Sequence, residues 1–439
     1  MHKILTATIL IACMTYGLGT KVEAQSLQLD TIVQFDGTNG ATPNASITFG
    51  NDGIIYGTTY SGGSNGLGVV FSVSTNGTLS TLVNFASTNG ANPNAALTLD
   101  NDGFLYGCTY FGGTFNSGTM FQYNTNGTLT PLVNFSDDYG RRPRAALVVG
   151  TDGFLYGAAS LGGSNGFGTI FKATTNGGLT TLVNFANTNG AYPNANLTFG
   201  ADGLLYGVTS QGGTYDQGTA FSLTTNGMLN TLLTFDATNG SKPNAALILG
   251  NDGNFYGTAS EGGQYNLGTI FRLSTNGTLA TLTSFTGTNG AFPNTSLTLA
   301  ADGSLFGTTS QGGNFNLGTI FQMTTNGSLN TLVSFDSTNG ALPYGTLTLG
   351  NDGRLYGTTS QGGTYNKGTI YKLSTIPPLL NISLISDMVV LSWTNPVFNL
   401  QSAPEVTGTY TNISGSISPY TSSIAGDQQY FRLIRNIGN

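Results

Sequence analysis

Three observations in the sequence predict an all-β chain whose main domain is a seven-bladed β-propeller. A pattern of 50 residues repeats without insertion or deletion from about residue 30 to about residue 375. Each repeat contains four short strand-like runs, which is the composition of a propeller blade. The array begins and ends in the middle of a repeat, so that the two terminal fragments together make one complete unit.

The repeat is defined by residues at constant offsets, which is the signature of a repeat architecture. The segment Asp-Gly-x-x-Tyr/Phe-Gly begins at Asp52, Asp102, Asp152, Asp202, Asp252, Asp302 and Asp352. A Gly-Gly pair follows it, first at Gly62-Gly63, and a Pro recurs from Pro43 to Pro343. Aromatic residues recur at positions 56, 71 and 85 and at their equivalents. Because a ring present in every unit cannot mark a single site, we interpret these 21 rings as packing between blades.

Turn residues separate the strand-like runs in each unit. In the first full repeat the predicted strands are Ala45–Phe49, Ile54–Thr59, Gly68–Ser74 and Thr78–Phe85. Asp52-Gly53 and Asn76-Gly77 supply the positive φ that tight hairpin turns require.

The terminal half-repeats predict a closed ring over residues 28–375. A fourth-strand sequence at 29–35 precedes the first unit, and the last unit ends after three strands near Ser374. The N-terminal strand is therefore predicted to complete the last blade. An open solenoid would instead expose two unpaired edges, which proteins avoid, and it would need atypical capping units.

The N-terminus predicts export. His2 and Lys3 precede a largely apolar stretch, Ile4–Leu18, that is too short to span a bilayer. We expect residues 1–24 to be a signal peptide that is cleaved after Ala24, which makes the protein secreted or located at the cell surface without a transmembrane segment. The alternative is a lipoprotein, because residues 10–13 match a lipobox that ends at Cys13.

The C-terminal residues differ from the repeat. Residues 376–379 contain a Pro-Pro pair and are interpreted as a linker, and residues 380–439 as a small β-sandwich. The predicted strands are Asn381–Leu384, Met388–Trp393, Phe398–Ser402, Tyr410–Ile413 and Gln428–Ile434.

The motifs carry three resemblances. The spacing Pro…Asp-Gly-x-x-Tyr-Gly…Gly-Gly…Gly-Thr-x-Phe…Phe resembles the Gloeo/Verruco (GloVer) tandem repeat of secreted bacterial proteins, over residues 30 to 375. That resemblance implies a secreted repeat protein without a determined activity. The strand and Gly-Gly layout is similar to kelch and galactose-oxidase-type propellers, which implies the fold alone. The pattern around Trp393 resembles short fibronectin-III-like sandwiches.

The residue types argue against several kinds of chemistry. The single histidine, His2, lies in the predicted signal, so that the mature chain would lack His-based catalysis and most zinc or copper sites. Cys108 lies within a strand and is interpreted as a small packing residue. The net charge is −7 and no basic run is present, which argues against nucleic-acid binding. We therefore expect no metal, no cofactor, a monomer and a protein that is not an enzyme.

Carboxylate catalysis is the alternative that these residue types leave open. Glycosidases place two carboxylates about 5–10 Å apart. Asp36, Asp236 and Asp336 share one repeat position and are interpreted as turn caps. The acidic residues outside the repeat pattern are Asp137, Asp138, Asp216 and Glu261.

Departures from the repeat predict where a ligand would bind. The longer loops lie on one face of a propeller, and binding residues concentrate on such loops. One loop reads Asp-Asp-Tyr-Gly-Arg-Arg-Pro-Arg and contains Tyr139, Arg141, Arg142 and Arg144. It is either a surface ion-pair cluster or a site for an anionic group, since arginine matches carboxylates.

Aromatic and amide residues in the Gly-Gly loops are the second such signal. Aromatic residues at the loop tips are Phe115, Tyr215, Tyr265, Phe315 and Tyr365, and Gln211, Glu261, Gln311 and Gln361 precede the Gly-Gly pairs. Rings beside amides suit sugar or peptide recognition. The alternative is that the rings fold back and brace their own loops.

Three functions are compatible with the sequence. The first is a non-catalytic binding scaffold at the cell surface or outside the cell, whose ligand is a glycan or a protein. The second is a carbohydrate-active hydrolase or lyase that uses paired carboxylates. The third is a structural surface or adhesion component.

Overall fold

The computed structural model describes residues 12–13, 28–74, 76–373 and parts of the C-terminal region (381–385, 388–392, 398–404, 409–413, 416, 418–423 and 430–435). The predicted linker 376–379, Trp393 and the predicted signal peptide, apart from residues 12–13, lie outside the described residues. Every regular element of the described residues is a β-strand. No helix in this part of the chain has the length and apolar character needed to cross a membrane.

Seven antiparallel sheets of four main strands form the blades, as the repeat predicts. The first strands are Thr48–Phe49, Thr98–Leu99, Val148–Val149, Thr198–Phe199, Ile248–Leu249, Thr298–Leu299 and Thr348–Leu349. The second strands are Ile55–Thr59, Leu105–Phe111, Leu155–Leu161, Leu205–Thr209, Phe255–Ala259, Leu305–Thr309 and Leu355–Thr359. The third strands are Val69–Val73, Thr119–Asn124, Thr169–Ala173, Thr219–Leu223, Thr269–Leu273, Thr319–Met323 and Thr369–Leu373. The fourth strands are Leu79–Asn84, Thr128–Asn134, Leu179–Asn184, Leu229–Thr234, Leu279–Ser284, Leu329–Ser334 and, for the last blade, Leu29–Gln34.

The first strands are shorter than predicted, because only their last two residues join the ladder. Thr48 and Phe49 pair with Tyr56 and Ile55, whereas residues 45–47 lie outside the strand. Two further short strands, Ala91–Pro93 and Arg141–Pro143, pair with the second strands of blades two and three.

The N-terminal strand closes the ring, which confirms the prediction from the half-repeats. Leu29–Gln34 joins the sheet of the last blade, and the Phe35 amide donates to the Gly368 carbonyl at 3.0 Å. The last and first blades are also joined directly, since the Thr348 hydroxyl donates to the Ile47 carbonyl at 3.0 Å. The corresponding bond recurs between other neighbouring blades, for example from Thr198 to Leu247 at 2.5 Å.

The recurring aromatic rings pack between blades, as predicted. The Phe that follows the fourth strand of each blade meets the third-strand ring of the next blade, with ring centroids 5.2 to 5.5 Å apart. The pair Phe35–Phe71 makes this contact across the ring closure, at 5.4 Å. Glycine is required beside these rings, since a Cβ on Gly207 would lie 2.6 Å from Phe221 Cζ.

The C-terminal strands form two small sheets. One contains Asn381–Ile385, Met388–Ser392 and Tyr420–Ser423. The other contains Phe398–Ala403, Thr411–Asn412 and Tyr430–Arg435, and the short strand Ala12–Cys13 pairs with the last of these. Leu391 in the first sheet and Leu400 in the second are fully buried.

Candidate functional site

The long loops of the propeller lie on one face, which we call the loop face. It consists of the loops between second and third strands, such as residues 60–68, and of those between a fourth strand and the next first strand, such as residues 85–97. Backbone hydrogen bonds join the two kinds of loop. The Asn92 amide donates to the Leu67 carbonyl of the preceding blade at 2.8 Å, and the Arg142 amide does the same to Ser117 at 2.7 Å.

Five aromatic side chains project from the tips of the loops between second and third strands. Their exposed fractions lie between 52 and 62% for Phe115, Tyr215, Tyr265, Phe315 and Tyr365. More than half of the surface of each of these residues is therefore open to solvent. The equivalent residues of the other two blades are Asn65 and Asn165, whose side-chain amides donate to the Phe85 and Phe185 carbonyls at 2.9 and 3.0 Å.

The residue after each exposed ring holds the loop in shape. It has a positive φ of 50 to 56° and its side-chain oxygen accepts from the first Gly amide of the Gly-Gly pair at 2.9 to 3.0 Å (Asn116, Asp216, Asn266, Asn316 and Asn366). Asn and Asp tolerate this left-handed conformation better than other residues with side chains. The local fold therefore fixes the backbone beneath each ring, which remains in solvent.

This arrangement predicts different effects for two substitutions of Asp216. Asp216→Asn should be neutral within about 0.5 kcal/mol, because the amide oxygen preserves the bond to Gly212, as Asn does in the four sister loops. Asp216→Ala should cost about 1–2 kcal/mol, because it removes the bond and leaves alanine at φ 55°. Chemical denaturation of the two variants measures the difference. An equal loss for both would assign the carboxylate a role other than the loop cap.

An axial cavity opens at the loop face where the chain enters the first strands. Its volume is about 370 Å³, within the range of small-molecule sites. The outer ring of its lining is Asn44, Asn94, Arg144, Asn194, Asn244, Asn294 and Tyr344. Amides of this ring bond one another, for example Asn44 Nδ2 to Asn94 Oδ1 at 3.1 Å. Of the residues that line the cavity, Arg144 alone is charged.

The predicted arginine cluster divides into one paired and two stacked side chains. Arg141 forms an ion pair with Asp137 at 3.1 Å, and Tyr139 beside it is 46% exposed. The guanidinium of Arg142 lies 5.3 Å from the Phe111 ring centroid, and that of Arg144 lies 5.5 Å from the Tyr110 centroid. The ion-pair interpretation therefore fits Arg141, whereas Arg142 and Arg144 rest on aromatic faces.

The residues before the Gly-Gly pairs form hydrogen bonds through their backbone carbonyls. The carbonyls of Gln211, Glu261, Gln311 and Gln361 accept from the amide of the adjacent loop at 2.8 Å. The Glu261 carboxylate is bound to Lys242 at 2.8 Å. The structure thus brings these residues to the loop face without joining them to the axial cavity.

Sequence reasoning missed the most variable position of the loop face. The residue before each recurring Pro has a positive φ of 52 to 57° in all seven blades (Thr42, Asn92, Arg142, Tyr192, Lys242, Phe292 and Leu342). Non-glycine residues at positive φ carry strain and concentrate at functional sites. The sequence pattern that could have revealed this position is that seven different residue types occupy it in the seven repeats.

The candidate carboxylates have structural partners. Asp36 Oδ1 accepts from the Thr38 and Asn39 amides at 2.8 and 3.0 Å, and the Asn39 amide is the main cause that lowers the pKa of this carboxyl. Asp236 and Asp336 make the same bonds, which confirms the turn-cap interpretation. No carboxylate is among the residues that line the axial cavity, so this cavity does not supply the pair that a glycosidase needs.

Cys108 has the environment of a packing residue. It is 1% exposed, and burial raises the pKa of its thiol to about 12. A thiol with this pKa is a poor nucleophile at neutral pH. Among the described residues there is also no group of three or more His, Cys, Asp or Glu side chains placed to hold a metal ion.

Solved structures with a similar fold come from several kinds of protein. Virginiamycin B lyase from Staphylococcus aureus has a TM-score of 0.55 at 16% identity, over 80% of this chain and 99% of the lyase. The extracellular domain of a candidate one-component system from B. thetaiotaomicron has a TM-score of 0.54 at 11% identity, over 86% of this chain and 46% of that one. A gluconolactonase from Xanthomonas campestris has a TM-score of 0.43 at 13% identity, over 79% of this chain and 89% of the gluconolactonase.

These structures correct one prediction. The expectation that the chain is not an enzyme is wrong. The lack of histidine does not support it, because virginiamycin B lyase, a solved structure with a similar fold, is an enzyme. At such low identity the likeness shows the fold alone, and it names neither a reaction nor a substrate for this chain.

A family model places the chain among its relatives. Comparison with functionally curated proteins gives no match. The model of the Gloeobacter/Verrucomicrobia repeat matches residues 11–210 and 195–382, which span most of the chain and all seven blades. The chain therefore belongs to the Gloeobacter/Verrucomicrobia repeat family.

Proposed function

We propose that this protein binds carbohydrate on its loop face. The observation that carries the proposal is the set of five aromatic rings at the loop tips, each more than half exposed. Exposed rings of this size lose favourable burial unless a partner covers them. A hydrogen-bonded cap holds the backbone beneath each ring in one conformation.

The chemistry of a sugar fits the residues of this face. An aromatic side chain offers a flat apolar surface, which suits the apolar face of a pyranose ring. The axial cavity adds a ring of asparagines, whose amides provide both donors and acceptors for hydroxyl groups. A few polar groups next to apolar surface are the usual composition of a small-molecule site.

The experiment compares three proteins on a glycan array. In the test variant all five tip residues, Phe115, Tyr215, Tyr265, Phe315 and Tyr365, are replaced by alanine. The control is Met228→Ala, because Met228 is 71% exposed in a turn at the opposite end of its blade. We expect the wild type and the control to bind the same glycans and the five-alanine variant to lose at least about tenfold in affinity, with an unchanged melting temperature. Equal binding by all three proteins would refute the proposal.

Enzymatic cleavage of the bound carbohydrate is a second candidate function of the loop face. The solved structure of a lyase with a similar fold supports it. Incubating the bound oligosaccharide with the wild type and analysing the products by mass spectrometry distinguishes cleavage from binding alone.

We further propose that the protein is exported, with cleavage after Ala24 and lipidation at Cys13 as the alternative. The sequence pattern supports this, and cleavage would remove the short strand at Ala12–Cys13. We expect the mature protein to begin at Gln25, which intact-mass measurement of protein recovered from the cell envelope and medium determines. A mass that includes a diacylglycerol group on Cys13 would establish the lipoprotein instead.

Finally, we infer a kelch-type propeller, a fibronectin-III-like sandwich in the C-terminal sheets and a monomer. The strand and Gly-Gly layout supports the first, and the two small sheets support the second.

A further inference from the structure

Two residues interrupt the amide ring around the axial cavity. Five of the seven blades place an asparagine there, whereas the third blade places Arg144 and the seventh places Tyr344. Arg142 lies two residues earlier and is also stacked on the rings of Tyr110 and Phe111. In the part of the chain that the structure describes, neither arginine has a carboxylate within ion-pair distance, whereas Arg141 has Asp137.

A buried hydroxyl next to these arginines lacks a hydrogen-bond partner. Ser160 is 4% exposed, and its Oγ bonds to no group. The equivalent serines of the other four blades that have one, Ser210, Ser260, Ser310 and Ser360, all donate to a backbone carbonyl at 2.8 to 3.1 Å. Three of them also accept from the cavity asparagine of their own blade, as Ser210 does from Asn194 at 3.0 Å.

The missing asparagine does not account for the unpaired hydroxyl. The seventh blade also lacks the asparagine, because Tyr344 replaces it, yet Ser360 still donates to the Leu342 carbonyl at 2.9 Å. Arg141 Nε, in the strand that pairs beside Ser160, is likewise buried without a partner. Buried polar groups without partners are uncommon in folded proteins, and each requires an explanation. Here two such groups lie beside two arginines whose charge is not neutralised.

We infer that Arg144 and Arg142, with Ser160, form a subsite for the anionic group of an acidic sugar. The inference rests on the proposed carbohydrate function and specifies the class of ligand. Stacking on Tyr110 covers one face of the Arg144 guanidinium and leaves its N–H edge free, and this edge matches the two oxygens of a carboxylate or a sulfate. The Ser160 hydroxyl donates to the same group and so gains the partner that it lacks.

The experiment uses three oligosaccharides of equal length and the full mature chain. An oligogalacturonate supplies the carboxylate, a sulfated galactan oligosaccharide supplies the sulfate, and a neutral galactan oligosaccharide is the reference. Isothermal titration at low and high salt measures each affinity. We expect at least one acidic oligosaccharide to bind about tenfold or more tightly than the neutral one, with a preference that decreases as salt rises. The better of the two identifies the anionic group.

Two variants test the residues. Arg144→Asn introduces the asparagine that five other blades have at this position, so that the fold should be preserved. It should abolish the preference for acidic oligosaccharides and leave the affinity for the neutral oligosaccharide unchanged. Ser160→Ala should weaken the binding of acidic oligosaccharides about fivefold. It should not lower the free energy of unfolding, because no hydrogen bond of the Ser160 side chain is lost in the free protein. Arg272→Gln removes the same charge away from the loop face and should have no effect.

The outcomes separate this inference from the proposed function. Equal affinity for acidic and neutral sugars, or an acidic preference that survives Arg144→Asn, would overturn the anionic subsite and leave carbohydrate binding in place. Binding of acidic oligosaccharides that depends on Arg144 but is insensitive to loss of the five exposed rings would support the subsite and refute the role proposed for the tip rings.

Discussion

Phe35→Ala should lower the free energy of unfolding by about 3–5 kcal/mol, the usual cost of removing a buried phenylalanine ring. Phe35 directly follows the N-terminal strand and is fully buried against Phe71 of the first blade. A terminal residue of an open array would contribute much less, since chain ends fray. The large expected loss therefore depends on closure of the ring.

The matched control is Phe185→Ala. Phe185 holds the same repeat position inside the array, is equally buried, and contacts Phe221 at 5.5 Å. Guanidinium denaturation should give similar losses for the two variants, because a closed ring makes the first and last blades neighbours like any others. If Phe35→Ala lowers the free energy of unfolding by less than about 1 kcal/mol, whereas Phe185→Ala lowers it by about 3–5 kcal/mol, the N-terminal strand does not close the ring in solution.

Gly118→Ala should strongly destabilise the second blade. A Cβ at Gly118 would overlap the Thr109 carbonyl oxygen and would lie 2.7 Å from Cδ of Pro143. The backbone φ of 103° adds strain for any residue with a side chain. Because the neighbours are backbone and a proline ring, they cannot move aside, and we expect a loss of at least about 3 kcal/mol in unfolding free energy.

Gly103→Ala is the control for the strain alone. Gly103 also has a positive φ, 84°, but its added Cβ would meet nothing within 4 Å. Its expected cost is about 1–2 kcal/mol. Thermal or chemical denaturation of the pair therefore isolates the steric contribution, and equal losses would show that Pro143 does not pack against Gly118 in solution.

The close approach at Gly118 explains why two features of the repeat occur together. The recurring Pro of one blade packs on the recurring Gly of the preceding blade, as Pro143 does on Gly118 and Pro43 on Gly368. The sequence shows both residues at constant spacing, yet it does not reveal that they touch. The contact joins different blades, and only the ring geometry brings them together.

The sequence by itself determined the blades, their number and the closed ring. Strand alternation, turn residues and aromatic spacing are local patterns, so that a single repeat is enough to recognise them. The half-repeats at the two ends of the array predict closure of the ring. It also indicated the loop face and the arginine loop. It overestimated the first strands and misjudged what the lack of histidine implies for catalysis.

The tertiary structure decided which of these residues meet. The cavity ring joins residues 50 positions apart, such as Asn94 and Arg144, because the blades converge on one axis. The missing partner of Ser160 is visible only in the structure, because its sister serines bond to a carbonyl 18 residues earlier in the chain, as Ser210 does to Tyr192. These properties arise from long-range packing, and no local pattern encodes them.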